Sequence, residues 1–373
     1  MPEISIISDQ TSLVALAAEL HACSAIAVDL EADSLHNYQE KVCLLQFSTP
    51  DRTVLVDPLA LADLEALKPV MADAAVRKIF HAADYDIRCL YRDYQIEVRG
   101  LFDTMVSCQF LGEEKFGLAD VLAKYFQLRL DKKLQKADWS VRPLSPEMVR
   151  YAAEDTLHLH RLAEILEKRL IEKGRLEWVA EECALLEQVR HTVNSGPLYL
   201  RFKGAWSLTP RQLAVLENLL TWRDREAQRR NCPPFRIIDN QALLAMAREM
   251  PRTVEEMKKP REVPSRLADR YGSPMLRAVE AAMSLPPEAL PVYPRPERPV
   301  VDPRVEARLK RLKEWRAKKA AELGMEPGIV INNHLLEILA LNPPAGIEDL
   351  KEVTAMKDWQ RRELGPGLLK TLQ

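Results

Sequence analysis

The stretch Ile26-Ala27-Val28-Asp29-Leu30-Glu31 restricts the fold of this chain more than any other. Its apolar residues predict a buried β-strand, in which residues two apart project from the same face. Asp29 and Glu31 would then share one small volume. Burying two carboxylates is favourable chiefly when cations neutralise them, and oxygen ligands suit Mg²⁺ or Mn²⁺. Taken alone, the motif is more often a strand end with two hydrated surface acids.

Three further strands are predicted nearby, over Val42–Ser48, Thr53–Asp57 and Lys78–His81. The short connections between the first three strands suit an antiparallel meander, whereas a helical segment at Leu61–Ala72 precedes the last one. These patterns predict a mixed sheet flanked by helices. From Leu118 onward the strand signals fade, and the residues from Pro146 to Leu170 repeat apolar positions at helical spacing.

The C-terminal half contains a repeat with an offset of 93 residues. Trp222-Arg223 matches Trp315-Arg316, and Asn240 matches Asn333. Further matches are Leu216 with Leu309, Leu219 with Leu312, Ile238 with Ile331, Pro251 with Pro344, and Glu255 with Glu348. The copies are separated by Pro286–Pro303, whose seven prolines predict a semi-rigid spacer.

Two more candidate elements contain acids. Asp86 follows Phe80-His81 where a strand runs into a helix start, although an acid in a first helical turn also interacts favourably with the helix dipole. Tyr151 and Asp155 are four residues apart on a predicted helix and project from one face. That spacing is also common in ordinary amphipathic helices.

Together these elements resemble the DEDD exonuclease superfamily in its tyrosine-containing branch, and more closely ribonuclease D. The resemblance extends through the block just ahead of Tyr151, although Lys133 and Ala137 stand where small hydroxyl residues are expected. That block reads Leu130-Asp131-Lys132-Lys133-Leu134-Gln135, then Asp138-Trp139 and Arg142-Pro143-Leu144.

The resemblance implies an α/β ribonuclease H-like exonuclease domain that removes nucleoside 5′-monophosphates from RNA 3′ ends. It implies two divalent metal ions, Mg²⁺ or Mn²⁺, held by Asp29, Glu31, Asp86 and Asp155, and no organic cofactor. Tyr151 would orient the attacking water rather than remove its proton. His81 could bind substrate, although a structural role is the stronger interpretation, and Trp139 is interpreted as a loop anchor.

The two repeats resemble HRDC domains, which are small and all-α. The boundaries expected from this resemblance are an exonuclease domain at 1–195, an HRDC domain at 205–288, a linker at 289–303 and a divergent HRDC-like domain at 304–373. For RNA binding, a dense basic run is the first candidate, with a solvated helix face as the alternative. It comprises Arg304, Arg308, Lys310, Arg311, Lys313, Arg316, Lys318 and Lys319. Few exposed aromatic residues are expected in this half.

Composition sets broader limits on the function. Residues 201–373 contain 31 Lys and Arg against 23 Asp and Glu, whereas residues 1–200 contain 22 against 32. An acidic half that could hold cations, joined to a basic half that could hold phosphate, suits a nucleic-acid enzyme. The six scattered cysteines and the lack of a leader or a long apolar run predict a soluble cytoplasmic protein with reduced thiols.

Three functions remain open at this point. The first is a monomeric exoribonuclease that trims tRNA precursors or other structured RNA with a free 3′ end. The second is a DNA-directed 3′-5′ exonuclease, since the same five residues serve both polymers. The third is a catalytically silent adaptor that binds nucleic acid or a partner protein through its helical repeats.

Overall fold

The computed structural model describes residues 4–131, 133–192, 195–294 and 302–373, which form two compact units. The first unit comprises residues 1–32, 42–191 and 300–373, and the second comprises 33–41 and 192–299. Part of the expected linker at 289–303 falls outside the described residues. None of the helices in the described part is both long enough and apolar enough to cross a membrane.

A six-stranded mixed sheet forms the centre of the first unit, in the order β1-β4-β3-β2-β5-β6. The central strands β4, β3 and β2 form the antiparallel meander expected from the sequence, and β1, β5 and β6 add parallel pairs. The strands are β1 Ile4–Ile7, β2 Ala25–Ala32, β3 Val42–Ser48, β4 Thr53–Val56, β5 Arg77–Phe80 and β6 Leu101–Asp103.

Helices flank this sheet in the first unit: α1 Gln10–His21, α2 Lys68–Ala72, α3 Asp84–Tyr94, α4 Thr104–Leu111, α5 Leu118–Phe126, α6 Pro146–Leu157, α7 Leu159–Glu172 and α8 Leu176–Leu186. The predicted class, a mixed sheet with flanking helices followed by a helical region, is confirmed. The sequence did not predict β1 and β6, which have only four and three residues and little alternation of their own.

The continuous helical pattern from Pro146 to Leu170 is in fact two helices, α6 and α7, which are separated at His158. Side chains on both sides of the break hydrogen bond to Ser48 of β3. The Thr156 hydroxyl lies 2.7 Å from the Ser48 hydroxyl, and His160 Nε2 lies 2.8 Å from the Ser48 carbonyl oxygen. Periodicity alone does not reveal this break because the apolar positions continue through it.

The remaining helices belong to the two repeats: α9 Pro210–Arg230, α10 Asn240–Glu249, α11 Val254–Met257 and α12 Ser265–Met283 in the second unit, then α13 Pro303–Leu323, α14 Pro327–Val330, α15 Asn333–Leu341 and α16 Asp358–Leu372 in the first.

The residues shared by the repeats make the same contacts in both copies. Arg223 donates to the Ile238 carbonyl at 3.2 Å and to Asn240 Oδ1 at 2.8 Å. Its counterpart Arg316 donates to the carbonyl of Ile331 and to Asn333 Oδ1, both at 2.9 Å. The internal repeat is therefore a structural repeat, and Arg316 is a structural residue rather than part of a free basic face.

Within the first unit, the second repeat packs directly against the sheet domain. Trp359 stacks on Trp178 with ring centroids 4.9 Å apart and meets the edge of Phe110 at 5.4 Å. Lys357 Nζ lies 2.6 Å from the Glu182 carboxylate. The backbones come closest at Gly112, where an added Cβ would overlap the Gly324 carbonyl oxygen.

Replacing Gly112 with alanine is expected to destabilise this packing. Gly112 and Gly174 both have positive φ, +80° and +65°, so alanine at either costs about 1 kcal/mol from the left-handed backbone. Gly174 has open space around it, whereas Gly112 does not. Gly112→Ala should therefore lower the free energy of unfolding by about 1–3 kcal/mol more than Gly174→Ala, as measured by urea denaturation. Equal losses would show that the close approach contributes nothing.

Candidate active site

One cavity of about 360 Å³ in the first unit collects most of the candidate residues. Its polar lining consists of Asp29, Glu31, His81, Asp131, Gln135, Tyr151 and Asp155. Asp29 and Glu31 come from one face of β2, and Tyr151 and Asp155 come from α6, which packs across β2 and β3. The fifth residue, Asp86, does not line the cavity. It is only 5% exposed, in the first turn of α3.

Burial raises the pKa of both strand carboxylates, and like charge adds to the shift at Glu31. Burial raises the pKa of Asp29 to about 7. The pKa of Glu31 rises to about 10, first because of burial and then because of the charges of Asp29, Asp155 and Asp86. These shifts mean that the four carboxylates cannot all be ionised at neutral pH without a compensating positive charge.

The other two acids are perturbed in the same way. Burial, and then the charge of Asp29, raises the pKa of Asp155 to about 8. Burial also raises the pKa of Asp86 well above its usual range, and Asp29 and Asp103 add to the effect. The electrostatics therefore bring all four acids into one group, including Asp86, which is buried and does not line the cavity.

The four carboxylates fit a divalent cation, because they supply negative charge and oxygen ligands. The described cavity lining includes no lysine or arginine, so the charge that balances these acids has to come from protons or bound ions. The oxygens do not yet form a cage: among residues 4–131, 133–192, 195–294 and 302–373, no three His, Cys, Asp or Glu side chains are arranged to hold an ion as they stand.

The segment just before α6, which contains Trp139 and Arg142, supports Tyr151. Trp139 is buried and packs against the Tyr151 ring with centroids 5.9 Å apart, in agreement with its interpretation as an anchor. Arg142 donates to the Trp139 carbonyl at 2.8 Å and to both carboxylate oxygens of Asp57 at 2.6 and 2.7 Å. This two-point ion pair attaches the cavity wall to the end of β4.

Asp103, which our sequence interpretation overlooked, shapes the turn ahead of Asp86. Its carboxylate accepts hydrogen bonds from the backbone amides of Ala82 and Ala83, at 3.1 and 2.7 Å, and also caps α4. The turn includes Ala82 at φ +69°, a left-handed conformation that is unfavourable for alanine. The sequence did offer one signal for this role, since Asp103 is an aspartate immediately before a helical segment, and aspartate is a preferred N-cap residue.

His81 lines the same cavity, but its nitrogens face the protein. Nδ1 lies 2.9 Å from the Thr104 hydroxyl, which itself donates to the Phe80 carbonyl, so Nδ1 is the donor in this pair. Nε2 is closed to solvent, and the Phe116 backbone lies near the ring. Burial lowers the pKa of His81, and the ring is therefore neutral at neutral pH.

Known family models match the N-terminal part of the chain and both of its repeats. Residues 4–171 match a family model described as a 3′-5′ exonuclease. Residues 212–279 and 305–372 each match the HRDC domain model.

Full-length relatives extend the match. The ribonuclease D of Gluconacetobacter diazotrophicus is 32% identical over 99% of this chain and 92% of its own length. The chain belongs to the ribonuclease D family. The ribonuclease D of Pseudomonas paraeruginosa is 29% identical over 100% of this chain and 98% of its own.

Solved structures agree with membership of the ribonuclease D family. The crystal structure of Escherichia coli RNase D superimposes with a TM-score of 0.75 at 25% identity, covering 100% of this chain and 99% of that one. The catalytic core of RRP6 from Trypanosoma brucei gives 0.66 at 30% identity, covering 76% and 81%.

The raised pKa values predict how stability depends on pH in the presence of a chelator. Because the folded state retains protons on Asp29, Glu31 and Asp155 that the unfolded chain loses near pH 4, stability should fall as pH rises from about 4 through the folded values of about 7–10. Asp29→Asn removes one of these acids. At pH 8 in EDTA it should melt above the unaltered protein, and the difference should shrink at pH 5.

Asp84→Asn is the matched control, because Arg88 holds the pKa of that exposed carboxyl below its usual range. It should not raise the melting temperature at pH 8. If Asp29→Asn melted no higher than the unaltered protein at pH 8, the carboxylates would not be repelling one another in the folded state.

Proposed function

We propose that this chain is a 3′-to-5′ exoribonuclease that hydrolyses the terminal phosphodiester of RNA and releases nucleoside 5′-monophosphates. The single observation that carries the proposal is the convergence of Asp29, Glu31, Tyr151 and Asp155 on one cavity, with Asp86 electrostatically joined to them. Membership of the ribonuclease D family supports the same reaction. The E. coli relative is described as an exoribonuclease involved in structured RNA processing.

In this proposal, Asp29, Glu31, Asp86 and Asp155 hold two divalent ions, Mg²⁺ or Mn²⁺. Bound there, the ions would activate the attacking water and stabilise the departing 3′-oxygen. Burial and the charge of Asp155 raise the pKa of Tyr151 above its usual range, so the phenol stays protonated. Tyr151 therefore orients the water through its hydroxyl rather than removing a proton. His81 forms part of the wall and contacts the terminal nucleotide through its ring atoms.

The substrate is RNA with a free 3′ end, and we propose tRNA precursors or other structured RNA as the natural targets of a monomeric cytoplasmic enzyme. Helix α13 is the proposed phosphate-binding surface in the first unit. Arg304, Arg311 and Lys318 are exposed and seven residues apart, so they follow one side of the helix. Such contacts would provide affinity without sequence preference.

The proposal is tested with RNA and DNA oligonucleotides labelled at the 5′ end and incubated with Mg²⁺ or Mn²⁺. RNA should shorten in single-nucleotide steps.

Asp29→Ala and Asp155→Ala should abolish this activity because each removes a metal ligand. Tyr151→Phe should lower kcat by about 10²-fold, without loss of stability, since the Tyr151 hydroxyl makes no hydrogen bond within the described chain. RNA affinity should remain within severalfold in all three variants.

Glu154→Ala is the control for α6, because Glu154 lies beside Asp155 in sequence but lines a different cavity. It should retain activity. Preferential digestion of DNA would contradict the choice of RNA, and no degradation of either polymer would favour the adaptor function. Full activity in Asp29→Ala or Asp155→Ala would refute the assigned site.

A further inference from the structure

Gln46 of β3 is a buried amide directly beside the proposed metal site. It is fully buried, and neither its Oε1 nor its Nε2 has a hydrogen-bond partner in the described part of the chain. Its cross-strand partner on β2 is Asp29. Directly opposed residues in an antiparallel pair project from the same face with Cβ atoms about 5 Å apart.

The neighbouring polar side chain on this face is satisfied. Ser48 lies two residues along β3 on the same face, and its hydroxyl is 2.7 Å from both the Thr53 and the Thr156 hydroxyls. The contact with Thr156 shows that this face lies beneath α6. An apolar side chain at position 46 would fill the space without the desolvation penalty that an unpartnered amide carries.

We propose that Gln46 is a positioning residue for Asp29: its Nε2 donates a hydrogen bond to the ionised Asp29 carboxylate and holds it in the orientation that a bound divalent cation requires. An ionised carboxylate is an acceptor only, so the amide N–H is the complementary group. This inference rests on the proposed function. Gln46 contacts neither substrate nor the reacting atoms.

The test compares Gln46→Leu with Ser48→Ala, two changes on the same buried face. In EDTA, Gln46→Leu should unfold at the same temperature as the unaltered protein or higher, because an unpartnered amide is removed. Its Mn²⁺ affinity, measured by calorimetry, should fall about tenfold, and kcat about 10–100-fold with KM nearly unchanged. Ser48→Ala should show the opposite pattern, with lower stability and unaltered kcat.

If Gln46→Leu were destabilised while retaining its Mn²⁺ affinity and kcat, Gln46 would be a structural residue and the proposal would be wrong. Gln46→Glu provides a second variant that keeps the side-chain length. Without an N–H donor and with one more buried acid, it should also bind Mn²⁺ less tightly, and unchanged affinity would count against the proposal. Mn²⁺ binding and unfolding are measured without RNA, so they report on Gln46 even if the unaltered protein degrades no RNA.

A second inference concerns an aromatic surface in the second unit that our sequence interpretation did not expect. Trp206 is 66% exposed, whereas Trp139, Trp178 and Trp359 are buried. It lies on the short 3₁₀ turn Ala205–Ser207, which is anchored by buried Ala205 and Leu208.

The turn is preceded by Gly204 at φ +95°, where an added Cβ would lie 3.3 Å from Leu244. A rigid turn therefore presents a large apolar ring to solvent. Arg201, Lys203 and Arg248 are exposed on the same segment or next to it, and Arg248 Nη2 lies 3.4 Å from the Ser207 hydroxyl. None of these three cations has a carboxylate partner within the described residues, which leaves them available for phosphate.

The geometry points to a binding surface for single-stranded RNA, in which a base stacks on Trp206 and the neighbouring cations contact the backbone. This inference deepens the proposed function, since it assigns a second contact to the RNA substrate. The inference is tested by measuring RNA binding in EDTA, where divalent ions are chelated and the RNA is not cut. A 20-nucleotide RNA should quench the tryptophan fluorescence, and Trp206→Ala should abolish most of that quenching.

Trp206→Ala should also weaken binding of the 20-mer at least about fivefold, and Trp206→Phe should restore much of it because a ring remains. Phe235→Ala is the control, since Phe235 is a similarly exposed aromatic residue, at 54%, in the same unit. Equal losses in Phe235→Ala and Trp206→Ala, or unchanged affinity in Trp206→Ala, would overturn the assignment. So would a shift from dimer to monomer in Trp206→Ala during sedimentation, because a second copy of the chain would then cover Trp206.

Discussion

Electrostatic repulsion among buried carboxylates is the constraint around which this protein is organised. Asp29 and Glu31 lie on the central strand of the sheet, and Asp155 faces them from the helix that crosses it. Burial disfavours their ionisation, and in a medium of low dielectric constant each negative charge adds to the effect, as in the raised pKa of Glu31. A fold that holds these groups together is therefore destabilised when they ionise, unless a positive charge compensates them.

The surrounding structure supplies the rigidity that such a site needs. The sheet fixes the backbone that carries Asp29, because Asp29 is paired with Gln46 of β3 and the preceding residues Ala25–Ala27 are paired with β5. Arg142 and Asp57 attach the segment that supports Tyr151, and Asp103 determines the turn that leads into α3. None of these supporting residues takes part in the proposed reaction. They bring groups that are about 120 residues apart in sequence into one cavity.

The patterns predicted from sequence were those with a local physical cause. Short apolar runs and short connections predicted β2, β3 and β4, and helical spacing predicted that Tyr151 and Asp155 share a face. The short strands β1 and β6 carry too little pattern of their own and form because neighbouring strands offer hydrogen bonds. The basic run on α13 was only partly available for phosphate, since Arg316 is used inside its own repeat. Exposure of Trp206 was also missed, because exposure depends on what packs nearby.

By itself, the sequence determined the type of fold and the internal repeat, because strand and helix periodicity are local properties. It indicated the set of acids only through the resemblance of its motifs to ribonuclease D. Only the tertiary structure decided that Asp86 is buried outside the cavity lining, that Gln46 is paired with Asp29 and has no hydrogen-bond partner among the described residues, and that the second repeat packs on the sheet domain through Trp178 and Trp359. These features depend on which distant residues exclude water from one another, and no short stretch of sequence carries that information.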